Sequence, residues 1–400
     1  MLKVERMDFP LLASNDFLIY LDSAATSLKP KSVISKCNEY YTNYGVNINR
    51  GVYDLSQMAT DAYEESRNAM AKFINAKAEE VVFTKGCTAS LNMLAYMLED
   101  KINEGDEIVV SVLDHHSFII PMQELAKRKK AMLVYAPLDE NYDITPSNLK
   151  QVLTNKTKIV CLTYVSNVIG RINDVEALSK ISHEIGALVI VDAAQAAPHI
   201  KIDVRKLDVD FLAFSIHKML GPTGVGVLYG KKKLLNSLNP VEFGGDMNDG
   251  VELLYSTYKD TPHRFEAGTP NIEGIIGTIE SIKYLSNLGM DNIYNHSKEL
   301  ATYVVEELKK IKGLNIYTIK PDTGIVTFNI DGIHPHDLAT YLSSLNICVR
   351  AGHHCAQLIT KYLGVVGTVR ASFYLYNTME DAKALVEGVK SAVVYFKEWM

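Results

Sequence analysis

Short apolar runs alternate with segments of helical spacing along the first two thirds of the chain. The helical segments, such as 90–98 and 174–185, place apolar residues three and four positions apart, whereas the apolar runs between them are brief and rich in β-branched residues. These runs are predicted strands at 81–84, 107–111, 159–164, 188–192, 211–215 and 226–229. Strand–helix alternation of this kind predicts an α/β fold with a mostly parallel sheet covered on both faces.

The pattern changes after residue 275. A long helical stretch at 278–312, interrupted at Gly289–Met290, is followed by shorter strands and by a terminal helix that begins at Met379. The shorter strands are predicted at 325–330, 347–350 and 368–372. This mixture of helices and short strands predicts a second, smaller α+β unit.

The length of 400 residues favours one large domain and one smaller domain over a single core. We expect the large α/β domain over 15–262, and the smaller α+β domain over 263–400 together with residues 1–14. The stretch 243–268 is rich in Gly, Asp, Tyr and Pro, and it is predicted as a loop or hairpin at the junction.

The composition is typical of a globular protein from a reducing compartment. The net charge is −6 with no long basic block, so nucleic acid is not an expected partner. No apolar stretch reaches the roughly 18–20 residues that span a bilayer, and the first residues lack the apolar core of a signal peptide. The five cysteines are odd in number and widely scattered, as reduced thiols are. We therefore expect a cytoplasmic protein without membrane association.

Polar residues follow several predicted strands, at the edge where open parallel sheets bind ligands. Strand 81–84 runs into the turn 85–90, whose backbone amides and Thr88 hydroxyl would suit a phosphate at a helix N-terminus. Small residues also begin many helices without any ligand. Strand 188–192 ends in Asp192, a poorly solvated carboxylate that needs a cation or hydrogen-bond donors. A helix cap is the alternative interpretation.

Lys218 follows the apolar strand 211–215 and precedes a Gly/Pro turn at 221–224. Most lysine side chains are exposed, and an ordinary surface lysine is the alternative here. An amine that is partly desolvated at the sheet edge would have a lowered pKa and could form a Schiff base.

Together these strand ends match the needs of a pyridoxal 5′-phosphate (PLP) site. Such a site requires a Schiff-base lysine, a carboxylate for the pyridinium nitrogen, a phosphate-binding turn and a flat group that stacks on the ring. The predicted residues are Lys218, Asp192, the Thr88 turn and His115, with Gln195 for the ring hydroxyl and Ser215 and His217 as further phosphate donors.

The sequence resembles the class V aminotransferase-fold PLP enzymes, and within them the SufS-like cysteine desulfurases. The similarity runs along nearly the whole chain, and the lysine and RAGHHCA segments are the most specific. The motifs are LDSAATSLKP (21–30), NRGVYDLS (49–56), DHHS (114–117), SNVIG (166–170), VDAAQA (191–196), SIHKMLGPTGVGVLYG (215–230), RFEAGTPN (264–271), VRAGHHCAQ (349–357) and VRASFYLYNT (369–378). The resemblance implies the PLP-dependent aminotransferase fold type I.

The resemblance also implies roles for individual residues. They are cofactor attachment by Lys218; stacking and proton transfer by His115; ring contacts from Asp192 and Gln195; phosphate contacts from Thr88, Ser215 and His217, with Cys87 in the same turn; substrate carboxylate binding by Arg370 with Asn167 and Arg350; and sulfur acceptance by Cys355. Thr269 would reach the phosphate held by a neighbouring subunit, so a homodimer is implied.

The implied activity is that of a PLP-dependent sulfurtransferase, a cysteine desulfurase. L-cysteine would give L-alanine, and the sulfur would remain on Cys355 as a persulfide that supplies iron–sulfur cluster assembly. The alternatives are selenocysteine lyase, cysteine sulfinate desulfinase or kynureninase, and a non-catalytic scaffold of the same fold. Two positions depart from the family pattern, which often has His where this chain has Asn49 and Thr where it has Cys87.

Two histidine segments raise the question of a metal. Zinc ligation by His353, His354 and Cys355 is not expected, because adjacent ligands are awkward for one ion and no Cys-x-x-Cys pair completes a site. The segment DGIHPHDLAT (331–340) resembles desulfurases that pass sulfur to a zinc-containing acceptor of the SufU type. A SufU-type acceptor is therefore favoured over the SufE type, with His334 as the contact to the partner's zinc.

Overall fold

The computed structural model describes residues 2 and 4–397. Helices and strands alternate through the first two thirds of the chain, as the pattern predicts. The helices are α1 Pro10–Ala13, α2 Lys31–Asn43, α3 Asp54–Phe73, α4 Cys87–Met97, α5 His116–Lys129, α6 Pro146–Lys150, α7 Val175–His183, α8 Val204–Leu207, α9 Lys232–Asn236, α10 Ile272–Leu288, α11 Met290–Leu308, α12 Pro335–Ser344, α13 Gln357–Tyr362 and α14 Met379–Lys397.

The strands belong to a large sheet, a small sheet and two short pairs. They are β1 Ile19–Tyr20, β2 Val81–Thr84, β3 Glu107–Val110, β4 Met132–Tyr135, β5 Thr157–Thr163, β6 Leu188–Asp192, β7 Phe211–Ser215, β8 Gly226–Gly230, β9 Asn248–Val251, β10 Ser256–Tyr258, β11 Leu314–Ile316, β12 Ile325–Ile330, β13 Ile347–Cys348, β14 Arg350–Gly352 and β15 Thr368–Ser372.

The large sheet has seven strands in the order β2-β8-β7-β6-β5-β3-β4. Neighbours from β7 to β4 run parallel, whereas β8 is antiparallel to both β7 and β2. The predicted mostly parallel α/β sheet is confirmed. The pattern missed β4, because this edge strand has exposed residues at both ends and lacks the buried apolar run of the central strands.

The small sheet has four antiparallel strands in the order β11-β12-β15-β14. Helices α11, α12 and α14 pack against it around a core that includes Leu300, Phe328 and Leu385. The single strand predicted at 347–350 is wrong in detail. It is divided into β13, which pairs with β1, and β14, which pairs with β15.

Helix α10 connects the two parts of the molecule. It packs on α2 and α3, and its residues Ile275 and Leu285 share a core with Met70. The chain then turns at Gly289, whose φ of 82° ends α10 before α11 begins, so the predicted interruption is confirmed. The division of the domains at 262/263 stays a prediction.

The stretch 243–268 contains an antiparallel hairpin, β9 and β10, in agreement with the predicted loop or hairpin. At its tip Leu253 and Leu254 are 100% and 97% exposed. Within residues 2 and 4–397, no helix combines the length and apolar character needed to cross a membrane.

Candidate active site

A cavity of about 290 Å³ lies where β5, β6 and β7 end, facing the small sheet. Parallel strands direct their carboxyl ends to one edge, which is why residues distant in sequence meet there. Every predicted site residue except Thr269 lines it, namely Cys87, Thr88, His115, Asn167, Asp192, Gln195, Ser215, His217, Lys218, Arg350, Cys355 and Arg370.

Lys218 enters the cavity from the turn that follows β7. Enclosure by the surrounding protein lowers the pKa of its amine, and the nearby Asp192 carboxylate opposes this shift. A lowered pKa increases the fraction of neutral amine, which is the nucleophilic form. The environment therefore suits covalent attachment of a carbonyl compound.

Asp192 ends β6 and is 5% exposed. Its Oδ1 accepts hydrogen bonds from the Ala194 amide at 2.8 Å and from the Cys87 thiol at 3.6 Å. Burial raises the pKa of the carboxyl, while these donors and Lys218 oppose that rise. The next helix after Asp192 is α8, so the helix-cap interpretation is wrong; the carboxylate accepts from the Ala194 amide in a turn and lines the cavity.

The start of α4 forms a cradle for an anion. Gly86 precedes this helix and provides no side chain to cap it, while the Cys87 amide donates to Ser215 Oγ at 2.8 Å. The Ser215 hydroxyl proton is then free to point elsewhere. Gly226 packs so closely that a Cβ on it would lie 2.4 Å from Gly86 Cα. Helix N-termini bind phosphate well, so this geometry suits the predicted phosphate group of PLP.

The remaining cavity residues fit a planar cofactor ring. Gln195 is fixed by donation from Nε2 to the Ala24 carbonyl at 2.7 Å, and its buried Oε1 has no hydrogen-bond partner among the described residues. His217 contacts Thr26 Oγ1 at 3.1 Å. PLP requires an amine, a buried carboxylate, a phosphate-binding site and a group for the ring hydroxyl. The cavity supplies all four, so its residues fit the cofactor.

His115 caps the N-terminus of α5, and its Nδ1 accepts from the Ser117 amide at 3.1 Å. A ring nitrogen that accepts carries no proton, so the proton of the neutral ring is on Nε2. Burial, followed by the charge of Lys218, lowers the pKa of His115 to about 3. The ring is therefore neutral over the physiological range and can lie against a cationic ring system.

Cys355 is exposed toward the cavity from the loop between β14 and α13. His354 and Cys355 have φ values of 53° and 55°, which side-chain-bearing residues rarely adopt. The loop is joined to the large sheet by Asn167, whose Nδ2 donates to the His354 carbonyl at 2.7 Å. A thiol from the small sheet and the Lys218 amine from the large sheet thus share one cavity.

Arg370 is 2% exposed on β15 and carries its guanidinium into the same space. Its Nη1 donates to the Asn167 carbonyl at 2.9 Å and its Nη2 to Asp22 Oδ1 at 3.2 Å, while Nε has no partner among the described residues. Burial lowers its pKa to about 10, opposed by Asp22, so the group remains cationic at neutral pH. A buried cation with an unused donor suits a small carboxylate.

Sequence reasoning missed Asp22. This residue follows β1, and its carboxylate binds two arginines. Its Oδ1 lies 3.2 Å from Arg370 Nη2, and its Oδ2 lies 2.8 Å from Arg350 Nη2. The only signal was its place in the segment LDSAATSLKP, since no local pattern shows that residues 22 and 370 meet.

Thr269 and His334 lie away from the cavity. Thr269 is exposed and lines a separate, larger cavity of about 660 Å³ beside the outer face of α4. His334 is the N-cap of α12, and its ring stacks on His336 with centroids 5.4 Å apart. Their predicted roles stay predictions. In the part of the chain that the structure describes, no three His, Cys, Asp or Glu side chains form a metal-binding group.

Comparison with known proteins agrees with this geometry. The family model "Aminotransferase class-V" matches residues 19–385. A probable cysteine desulfurase of Halalkalibacterium halodurans is 48% identical over 393 residues, 97% of each chain. Another from Staphylococcus epidermidis is 50% identical over 396 residues, 97% of this chain and 96% of the relative. The apo structure of a cysteine desulfurase from Thermococcus onnurineus NA1 is 40% identical, with a TM-score of 0.94 over 98% of this chain and 99% of the other. The chain therefore belongs to the class-V aminotransferase family.

Proposed function

We propose that this protein is a cysteine desulfurase that uses PLP to convert L-cysteine to L-alanine and holds the released sulfur as a persulfide on Cys355. The observation that carries this proposal is the position of the Cys355 thiol in the same cavity as the Lys218 amine. An aminotransferase needs the lysine and the carboxylate, but it has no use for a thiol from the opposite wall. The similarity to named cysteine desulfurases supports the same conclusion.

PLP, when bound, supplies a ring that accepts electrons from the substrate. Lys218 would hold it covalently, Asp192 would keep its ring nitrogen protonated, and the start of α4 with Ser215 would bind its phosphate. His115 would cover one face as a neutral ring.

The chain's own groups account for substrate binding and for sulfur transfer. Arg370 binds the substrate carboxylate and thereby fixes the orientation of the amino acid. Lys218 Nζ and His115 Nε2 are the groups placed to move protons at the substrate carbon atoms. The Cys355 thiolate forms a bond to the substrate sulfur as the carbon–sulfur bond breaks, and the three-carbon fragment takes up a proton and leaves as alanine.

The decisive experiment replaces the acceptor thiol. We expect Cys355→Ala to retain the visible absorbance of bound PLP but to lose cysteine-dependent sulfide release. Cys348→Ala is the matched control, because Cys348 is half-buried in β13 and does not line the cavity. In the parent protein, mass spectrometry after exposure to cysteine should find one added sulfur on the Cys355 peptide. Substantial turnover by Cys355→Ala would defeat the proposal.

The attachment of PLP has its own test. Lys218→Ala should lose the covalent, borohydride-reducible link to the cofactor, since Lys218 supplies the amine of the cavity. A link that survives in this variant would show that another lysine carries PLP. Lys85→Ala is the control, because its side chain is 79% exposed near the other cavity.

We further propose that the protein is a homodimer. Support comes from the exposed position of Thr269 outside its own chain's PLP cavity and from apolar side chains left in solvent, Val52 at 103% and Leu253 at 100% exposed. Sedimentation should give twice the chain mass. A protein that sediments as a monomer while fully active would contradict this assembly.

The sulfur acceptor that we propose is a zinc-containing protein of the SufU type, contacted through His334, with iron–sulfur cluster assembly as the destination of the sulfur. His334 supports this as the N-cap of α12, at the edge of the small sheet that carries Cys355. We expect His334→Ala to weaken stimulation by the acceptor and to leave basal turnover unchanged. Ser344→Ala, at the other end of α12, is the control, and unchanged stimulation in His334→Ala would reject the contact.

The same chemistry argues for a cytoplasmic protein. All five cysteines are free thiols in the structure, and persulfide chemistry requires that Cys355 stay reduced. Fractionation of the native cells, with detection of the chain in the cytosolic fraction, tests this placement.

A further inference from the structure

His116 forms two hydrogen bonds with the chain at Cys355 and just after it. Its backbone N–H donates to the Cys355 carbonyl at 2.7 Å. Its ring Nε2 accepts from the Gln357 backbone N–H at 3.1 Å. One residue of α5 therefore binds the acceptor cysteine and the first residue of the helix that follows it, although His116 and Cys355 are far apart in sequence.

Both donors are available because of their places in helices. His116 is the first residue of α5 and Gln357 the first residue of α13, and the first N–H groups of a helix have no partner within it. The first N–H of α5 is satisfied by the Cys355 carbonyl, and the first N–H of α13 is satisfied by the His116 ring. Without these partners, the first N–H of each helix would need water or another acceptor.

The His116 ring is suited to accept. It is half-buried, and burial, followed by the charge of His353, lowers its pKa, which favours the neutral ring that has one free nitrogen lone pair. The adjacent His115 ring lies 6.3 Å away, centroid to centroid, and faces the cavity instead. His115 therefore lines the cavity, whereas His116 binds the start of α13.

The loop needs such a restraint. Residues 353–356 lie between β14 and α13 without ladder bonds, and His354 and Cys355 hold positive φ values. Such a conformation persists only where surrounding contacts impose it. Besides His116, the contacts that hold the loop include Asn167 to the His354 carbonyl and the His354 ring to Thr368, and within the same segment the His353 ring bonds to Thr360 and the Ala356 N–H donates to the His353 carbonyl.

We propose that His116 is a positioning residue that keeps the Cys355 thiol in the cavity opposite Lys218. This inference rests on the proposed desulfurase function, and it assigns to His116 the orientation of the acceptor thiol. When the bond from Gln357 to the His116 ring breaks, the loop loses one of its anchors to the large sheet, and the thiol spends less time in the cavity.

The test removes the bond from each side. His116→Phe keeps a ring and the backbone N–H but has no ring acceptor, whereas His116→Gln restores an acceptor at nearly the reach of Nε2. Gln357→Pro deletes the donor N–H at a first helical position, where proline is well tolerated. Gln123→Ala, on the exposed face of α5, is the control.

The first readout needs neither cofactor turnover nor acceptor protein. In protein without cysteine, we expect iodoacetamide to alkylate Cys355 about three- to tenfold faster in His116→Phe and in Gln357→Pro, as loss of one hydrogen bond allows. His116→Gln and Gln123→Ala should match the parent protein. The double variant should be no faster than either single variant, because both changes remove the same bond.

The second readout uses the PLP-loaded protein. The first-turnover rate of persulfide formation on Cys355 should fall about three- to tenfold in both bond-deleting variants, while the KM for cysteine changes less than about twofold. Parent rates of alkylation and persulfide formation in both folded variants would overturn the inference, and so would additive effects in the double variant. If the parent protein itself forms no persulfide, the proposed function fails, and the alkylation rates still decide whether His116 holds the loop.

Discussion

Asp22 and Arg370 form an ion pair at the boundary of the two sheets, with Oδ1 3.2 Å from Nη2. The other carboxylate oxygen of Asp22 lies 2.8 Å from Nη2 of Arg350, which is opposite Arg370 in the β14–β15 pair. One carboxylate therefore holds two arginines that enter the cavity from the same sheet. Arg370 is oriented before any substrate arrives.

Asp22→Asn should weaken cysteine binding more than it slows the chemical step. Without the charge, Arg370 and Arg350 lose their shared counterion, and the guanidinium that we propose binds the substrate carboxylate is less well fixed. We expect the KM for cysteine to rise about tenfold with a smaller change in kcat. Steady-state kinetics of the PLP-loaded variant measure both parameters.

Asp143→Asn is the matched control for that variant. Asp143 also pairs with a largely buried arginine, Arg171, but neither residue lines the PLP cavity. It should lower stability and leave the KM unchanged. An unchanged KM in Asp22→Asn would show that Arg370 does not depend on this carboxylate.

Cys87→Ala should retain sulfur transfer. Cys87 lines the cavity, but it is 4% exposed, and burial and the Asp192 charge raise its pKa far above the usual value. A protonated thiol is a poor nucleophile, so Cys87 acts as a weak donor to Asp192 and not as an acceptor of sulfur. We expect this variant to keep at least about half of the parent's turnover. Turnover as low as that of Cys355→Ala would give Cys87 a part in the reaction.

His199 should make the fold sensitive to acid. It is 3% exposed, its ring meets Tyr374 edge-on at 4.7 Å, and burial lowers its pKa from 6.5 to about 4. Between these two values the unfolded chain binds a proton that the folded chain does not, so stability falls as the pH drops through this window. The full shift corresponds to about 3 kcal/mol.

His199→Phe keeps the contact with Tyr374 and removes the titration. We expect its melting temperature to fall less than that of the parent protein between about pH 7.5 and about pH 5. The melting temperature of His183→Gln should fall more than that of the parent protein over the same pH range. The Asp210 contact raises the pKa of His183 and so stabilises the parent fold at low pH. The same acid response in His199→Phe and in the parent protein would contradict this assignment.

Glu266→Gln should destabilise the segment that carries Thr269. Glu266 binds Arg67, which is 1% exposed, at 2.6 Å, and also accepts from the Phe83 amide at 2.7 Å. Removing one partner of a buried pair costs about 3–5 kcal/mol. Glu242→Gln, in the exposed pair with Lys85, should cost less than about 1 kcal/mol. Equal shifts of the denaturation midpoint in the two variants would show that burial does not strengthen the Arg67 pair.

Buried strands could be predicted from the sequence because burial on both faces gives them short runs rich in apolar residues. Strands β2, β6, β7, β12 and β15 were predicted with the bounds that the structure shows. The strand at 347–350 was predicted with less success, because β13 and β14 pair with different partners and their junction has no turn residue to mark it. β13 pairs with β1, so that Ile347 lies opposite Ile19, and pairing over such a distance leaves no local pattern.

Some residues of the candidate site could likewise be predicted from strand patterns, and others could not. Lys218 and Asp192 could be found because they follow recognisable strands, and the rule that parallel strands end together brings them into one cavity. Cys355 and Arg370 come from the small sheet and the loop that follows β14, and only the family resemblance connected them with the lysine. The contacts of Asp22 with Arg370 and of His116 with Gln357 join residues more than two hundred positions apart, so no spacing indicates them.

Gly226 lies against Gly86 at the start of α4, where the absence of a side chain on Gly226 lets the two backbones approach closely. A side chain at position 226 would clash with the Gly86 backbone that begins α4, and the start of this helix would have to move away from β8. Its first amides would then withdraw from the strand ends that present Ser215 and Lys218. The absence of a side chain at position 226 thus keeps the start of α4 close to the strand ends, and with it the depth at which a phosphate can bind.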